Sequence, residues 1–145
     1  MKRSKKGWLL FVHLLMATGF LAGLAFAISI NRYPIEMLYL IGMLSIFTIL
    51  VYGRDKLAAL TGRWRTSENT LQLLSFIGGW PGALLGQALF NHKTSKQPFR
   101  QIFWICVISN LAFIAWTFTS NGEYFLYSQI WDIKQALSEV SVFVR

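Results

Sequence analysis

Apolar runs long enough to cross a bilayer alternate along this chain with short polar stretches. No formally charged residue falls between Trp8 and Ile30, about 23 positions that measure roughly 34 Å as a helix against a hydrocarbon core of about 30 Å. This predicts a first span over 8–30. Asn31-Arg32-Tyr33 follows, and Pro34, with its fixed φ and missing N–H, suits the first turn of a second span over 35–52. Glu36 then falls in that first turn, where its carboxylate reaches headgroups and faces the positive end of the helix dipole.

Residues 53–69 read as a polar connector carrying Arg54, Asp55, Lys56, Arg63, Arg65 and Glu68, and its short apolar patch at 57–60 is expected to lie on the membrane surface. Thr66 or Ser67 is placed to cap the next helix, with Glu68 in the first turn. A third apolar run, 70–90, is interrupted by Gly78-Gly79-Trp80-Pro81-Gly82. Pro81 cannot donate to the Ile77 carbonyl, so a kink or break is expected there. A second basic connector, 91–100, leads to a fourth span over 101–118. In the tail, 123–145, Ile130, Ile133, Leu137, Val140 and Val144 recur at three- and four-residue steps, the pattern of an amphipathic helix. Its near-balanced charge suits docking on the bundle or on a partner better than binding anionic lipid.

The fold class this implies is all-α. It is a polytopic membrane protein with one domain over 1–145, about four hydrophobic helices with the third broken near 78–81, and an amphipathic C-terminal helix. Composition agrees: 54% of the residues are hydrophobic and only 14% charged, where a soluble domain of this size has about 25% charged. The net charge of +8 is dispersed as clusters between apolar runs instead of lining one face, so it speaks for loop topology and against direct nucleic-acid binding. Lys2, Arg3, Lys5 and Lys6 ahead of the first span place the N-terminus in the cytoplasm and the chain, as a multi-pass protein, in the inner (plasma) membrane. Ala25-Phe26-Ala27 resembles a signal cleavage site, but the apolar run before it is longer than a signal peptide needs, so an uncleaved anchor is preferred. A straight crossing of 70–90 is preferred to a re-entrant hairpin, whose halves would measure only about 10 to 13 Å.

Two sets of residues carry candidate roles. Gly19 and Gly23 in the first span, and Gly78, Gly79, Gly82 and Gly86 in the third, form small-residue rows at four-residue spacing that let another helix approach closely. Asp55 and Lys56, with Arg65, His92, Lys93 and Lys96, form a polar face whose cations can converge on a phosphate or carboxylate. The plainer alternative is that these cations anchor span ends to headgroups. Membrane lipids are the expected partners, with partner helices or a second copy on the glycine rows. No metal or cofactor is expected: the two histidines, His13 and His92, lie far apart in sequence, Cys106 is alone, and no phosphate or dinucleotide loop is present. Rival readings are a structural or assembly subunit and a lipid-modifying enzyme using His92 as acid or base.

Between Tyr52 and Phe99 an ordered set of motifs stands out: Asp55-Lys56-x-x-Ala59, Arg63-Trp64-Arg65 with Glu68, Gly78-Gly79-x-x-Gly82, and His92-Lys93-Thr94-x-Lys96-x-x-Phe99. This set resembles the membrane family known as domain of unknown function 1294, with a family-like core over 52–118. One departure is Thr66-Ser67, where the family usually has Ile-Pro. Some relatives carry an N-terminal cold-shock domain, but no run here resembles the aromatic strands with which such a barrel stacks bases. The resemblance implies a membrane location and no known reaction.

Overall fold

The computed structural model describes residues 2–64, 66–90 and 97–143. Among them the fold is all helix, with no strand. The elements are α1 (Lys2–Ser29), α2 (Ile35–Thr61), α3 (Glu68–Leu74), a π-helical turn (Ser75–Gly79), α4 (Trp80–Phe90), α5 (Gln97–Thr117) and α6 (Ser120–Phe143). Four stretches are long and apolar enough to cross a membrane: Leu10–Ser29, Ile35–Thr61, Glu68–Phe90 and Gln97–Thr117. One of them, Glu68–Phe90, is joined from pieces. Two compact units divide the chain, residues 1–110 and 111–145.

In the first unit, α2 does not stop near Tyr52 but runs on to Thr61, correcting the surface-lying connector expected over 53–61. Gly53 is tolerated inside the helix, and the signal that stops it is Gly62, at φ 66, whose N–H returns to the Ala58 carbonyl. Pro34 stands just ahead of the helix in an extended conformation. Of the two candidate caps for α3, Ser67 does the capping, accepting the Thr70 N–H at 3.1 Å.

The third apolar segment turns back on itself. Its first arm starts beside the late part of α2, where Asp55 Oδ1 accepts the Thr66 N–H at 3.0 Å. By Gly78 it has reached Leu44 and Ile41, so this arm runs against α2. Beyond Gly78 the order reverses: Gly82 lies against Ser45, Gly86 against Tyr52 and the Phe90 ring against Gly53. From the opposite side, α1 shows the same direction, with Phe20 and Trp80 rings 4.6 Å apart and His13 sharing a cavity with Gln87. α5 starts at this end too, since the Phe99 carbonyl accepts from Gln72 Nε2 at 2.7 Å. The straight path expected over 70–90 is therefore corrected to a hairpin whose two ends lie together. The arms are longer than the sequence suggests, because the reversal takes place at one residue. α4 alone, with 11 residues, measures about 17 Å, a little over half the hydrocarbon core.

The reversal follows from local chemistry. Gly78 sits at φ 116, where a side chain is strained and glycine is not. Pro81 has no N–H to return to a carbonyl of the preceding turn. Asn110 on α5 supplies the missing donor, its Nδ2 lying 2.7 Å from the Phe76 carbonyl and 3.3 Å from that of Ser75. The hairpin is the interior of this unit: 67% of its span is buried, against 17% to 22% for the other three. Tyr52, Leu71, Trp80, Leu84, Phe103 and Val107 form the packed centre, while Met43, Ile46 and Leu50 remain exposed on α2.

In the second unit the end of α5 turns sharply into α6. Thr119 caps α6, accepting the Gly122 N–H on its Oγ1 and the Glu123 N–H on its carbonyl. Trp116 packs between Phe113 and Phe125 at 5.8 and 5.6 Å. Ile133, Leu137 and Val140, members of the tail's apolar row, are exposed.

Candidate functional site

The face that α2 turns to the hairpin is largely polar. Ser45, Thr48, Tyr52 and Asp55 recur at three- and four-residue steps and are buried, so one stripe of an otherwise apolar helix carries hydroxyls and a carboxylate into the bundle. Opposite them stand Gln72, Ser75 and Gln87, also buried. Some of these groups are satisfied locally: Thr48 bonds the Leu44 carbonyl at 2.7 Å and Ser75 the Leu71 carbonyl at 2.9 Å. Others are not. Ser45 Oγ, the Tyr52 hydroxyl, Gln72 Oε1, Gln87 Nε2 and His13 Nδ1 are buried with no hydrogen-bond partner, although Gln87 and Ser75 lie beside the Tyr52 hydroxyl. Polar groups in apolar surroundings are costly, and in membrane proteins they concentrate where function lies.

The six residues assigned to the anion face divide. Asp55 is fully buried and fixes the turn after α2 through Thr66. Lys56 is half-buried and borders a groove of about 430 Å³ with Arg54, Gly53 and Phe90. Arg54 also borders a second groove, of about 660 Å³, with Arg63 and Trp64. Arg65, His92, Lys93 and Lys96 lie outside the described residues. The residues that bracket the second connector, Phe90 and Gln97, stand at the same end of the bundle as Asp55.

The glycines divide as well. A Cβ on Gly82 would collide with the Ser45 backbone, one on Gly79 with the Thr48 hydroxyl, and one on Gly86 would come within 2.9 Å of Tyr52. Gly78 serves the reversal instead. Around Gly19 and Gly23 nothing lies within 4 Å of such a Cβ, so among the described residues no helix covers that face. Among the described residues no cluster of three or more metal-ligating side chains occurs.

Sequence reasoning missed His13, Gln72, Gln87 and Asn110. The signal was present: each is a polar residue inside a run otherwise long enough to span, and such residues face the bundle interior.

This architecture defines a class, a small helical protein with membrane-span-like segments and a helical hairpin at the centre of its first unit. Within it, residues 45–99 match the family model described as "Protein of unknown function (DUF1294)", which shows the expected resemblance over those residues. The matched stretch takes in the polar stripe of α2, the whole hairpin and the start of α5. The uncharacterized protein YsdA of Bacillus subtilis (strain 168) is 40% identical over 50 residues, 34% of this chain and 56% of YsdA. The chain thus spans about half the length of that relative. No solved structure matches it.

Proposed function

We propose that this is a multi-pass inner-membrane protein with a cytoplasmic N-terminus, whose hairpin supports a cytoplasmic binding face for an anionic ligand, with a lipid headgroup the favoured class. The observation that carries the reading is the return of the hairpin. Thr66 stands beside Asp55 and Phe90 beside Gly53, which supports assigning the residues flanking both connectors, with Lys56, to one end of the bundle and, through them, Arg65, His92, Lys93 and Lys96 to one binding face. Asp55 acts in it as a positioning residue through its bond to Thr66. A straight crossing would have separated the two groups by about 30 Å, beyond any shared ligand.

Single cysteines at Lys56 and Lys93 in a Cys106→Ser background test this. In inside-out vesicles both are expected to react with an impermeant thiol reagent, and short bifunctional reagents should link them. Reaction from opposite sides would overturn the shared face. Neutralising Lys56, Lys93 and Lys96 together to Gln is expected to reduce the anionic lipid that co-purifies with the protein; unchanged lipid would leave the cations as topological anchors. A second reading, assembly with a partner helix, is favoured by the uncovered Gly19 and Gly23 face of α1.

A further inference from the structure

We propose that a cavity bounded by α1, α4 and the start of α5 binds a phosphate-bearing anion, and that its walls suit the phosphate of a membrane lipid. The cavity, about 320 Å³, has three polar groups in its lining, His13, Gln87 and Arg100, one from each helix. His13 is 8% and Gln87 2% exposed, and both His13 Nδ1 and Gln87 Nε2 lack a hydrogen-bond partner. A buried polar atom left unpaired costs about 1–3 kcal/mol, and within hydrocarbon no bulk water is at hand to satisfy it. Both residues, on separate helices, line the same space, and the Tyr52 hydroxyl lies beside Gln87.

The chemistry of the lining selects the ligand. Gln87 Nε2 is a donor, and His13 Nδ1 donates when it carries the ring proton. Arg100 brings a permanently charged fork of donors that fits phosphate in bidentate fashion. Among the described residues no carboxylate lines the cavity, so they offer a cation nothing to bind, whereas an anion with several acceptor oxygens can engage all three groups. The N-terminal end of α5 also brings a positive dipole end close to Arg100. The other walls are apolar. Val12 and Met16 offer a surface for a hydrocarbon chain, and the Trp8 and Trp104 indoles are of the type that settles at headgroup depth. Asp55 and Lys56 take no part in this lining, so the cavity and the connector face can fail independently.

The test uses the full chain purified in an uncharged maltoside detergent, with dioctanoyl phosphatidate, dioctanoylglycerol and inorganic phosphate as probes, measured by calorimetric titration. Phosphatidate is expected to bind saturably and at least about tenfold more tightly than dioctanoylglycerol, which has the same chains and no phosphate. Arg100→Gln should weaken phosphatidate about tenfold and Arg100→Lys should recover part of the loss. Gln87→Leu and His13→Leu should each weaken it several-fold. Arg100 is exposed, so its variants keep the fold, checked by an unchanged gel-filtration profile, and they decide the matter even if a buried variant does not fold. Inorganic phosphate binding as tightly as phosphatidate would uphold the anion site and assign it to free phosphate rather than lipid. Phosphatidate binding no better than dioctanoylglycerol, or equally well to wild type and Arg100→Gln, would overturn the proposal.

Discussion

Gly19 and Gly23 in α1 and Gly82 and Gly86 in α4 share a four-residue spacing and sit in comparably apolar sequence, yet their surroundings are opposite. In α4 the row is occupied: the Ser45 backbone and the Tyr52 side chain stand where side chains would otherwise be. In α1 the row is bare. The spacing marks a face on which a helix can approach closely, and the rest of the fold decides whether one does. For α4 the decision comes from the hairpin, which lays it along α2 so that polar and small positions meet.

The widest gap between the two rows should appear on adding bulk. Gly82→Leu is expected to abolish the folded, monodisperse fraction in detergent while Gly19→Leu leaves it intact, since a displaced backbone has no cheap way to move; equal yields would erase the distinction. Next is the reversal itself. Gly78→Ala places a side chain at φ 116 and should destabilise by about 1–3 kcal/mol, read as an earlier unfolding midpoint when dodecyl sulfate is titrated into mixed micelles. A midpoint matching wild type would mean that the turn does not depend on glycine. Asn110→Leu should shift the same midpoint less, by on the order of 1 kcal/mol, because it strands the Phe76 carbonyl in the membrane interior. The smallest effect is expected for Gly23→Leu, within about 0.5 kcal/mol for the isolated chain. The same variant sharpens the comparison, since losing an intermolecular crosslink formed through α1 would show that a partner covers the row.

The spans were legible because their length and apolarity are properties of sequence alone, and so were the cap preceding Glu68 and a break within Gly78–Pro81. The direction of the chain after the break was not. A kinked crossing and a returning hairpin have the same hydrophobic content; they differ in one dihedral at Gly78 and in which face of α2 is met. The hint lay in Ser45, Thr48 and Tyr52, whose spacing continues to Asp55 as a polar stripe that asks for a buried partner, but within a run read for its apolarity the first three drew no notice. Asp55 was recognisable as unusual among cations, while its bond to Thr66 depends on a turn that only the fold creates. His13 and Gln87 come from distant parts of the chain, and only the antiparallel pairing of α1 with α4 brings them to one cavity.

The return of the hairpin also bears on how the protein enters the membrane. In the proposed orientation the chain between Phe90 and Gln97 never has to be carried to the far side. Transferring cations such as Lys93, Lys96 and Arg100 outward against an inside-negative potential would cost about 2.3 kcal/mol per charge for each 100 mV, before any cost of stripping their water. Insertion from one side avoids that work, so the hairpin can slide in once α1 and α2 are seated and the groove along Ser45, Thr48 and Tyr52 is ready to receive it.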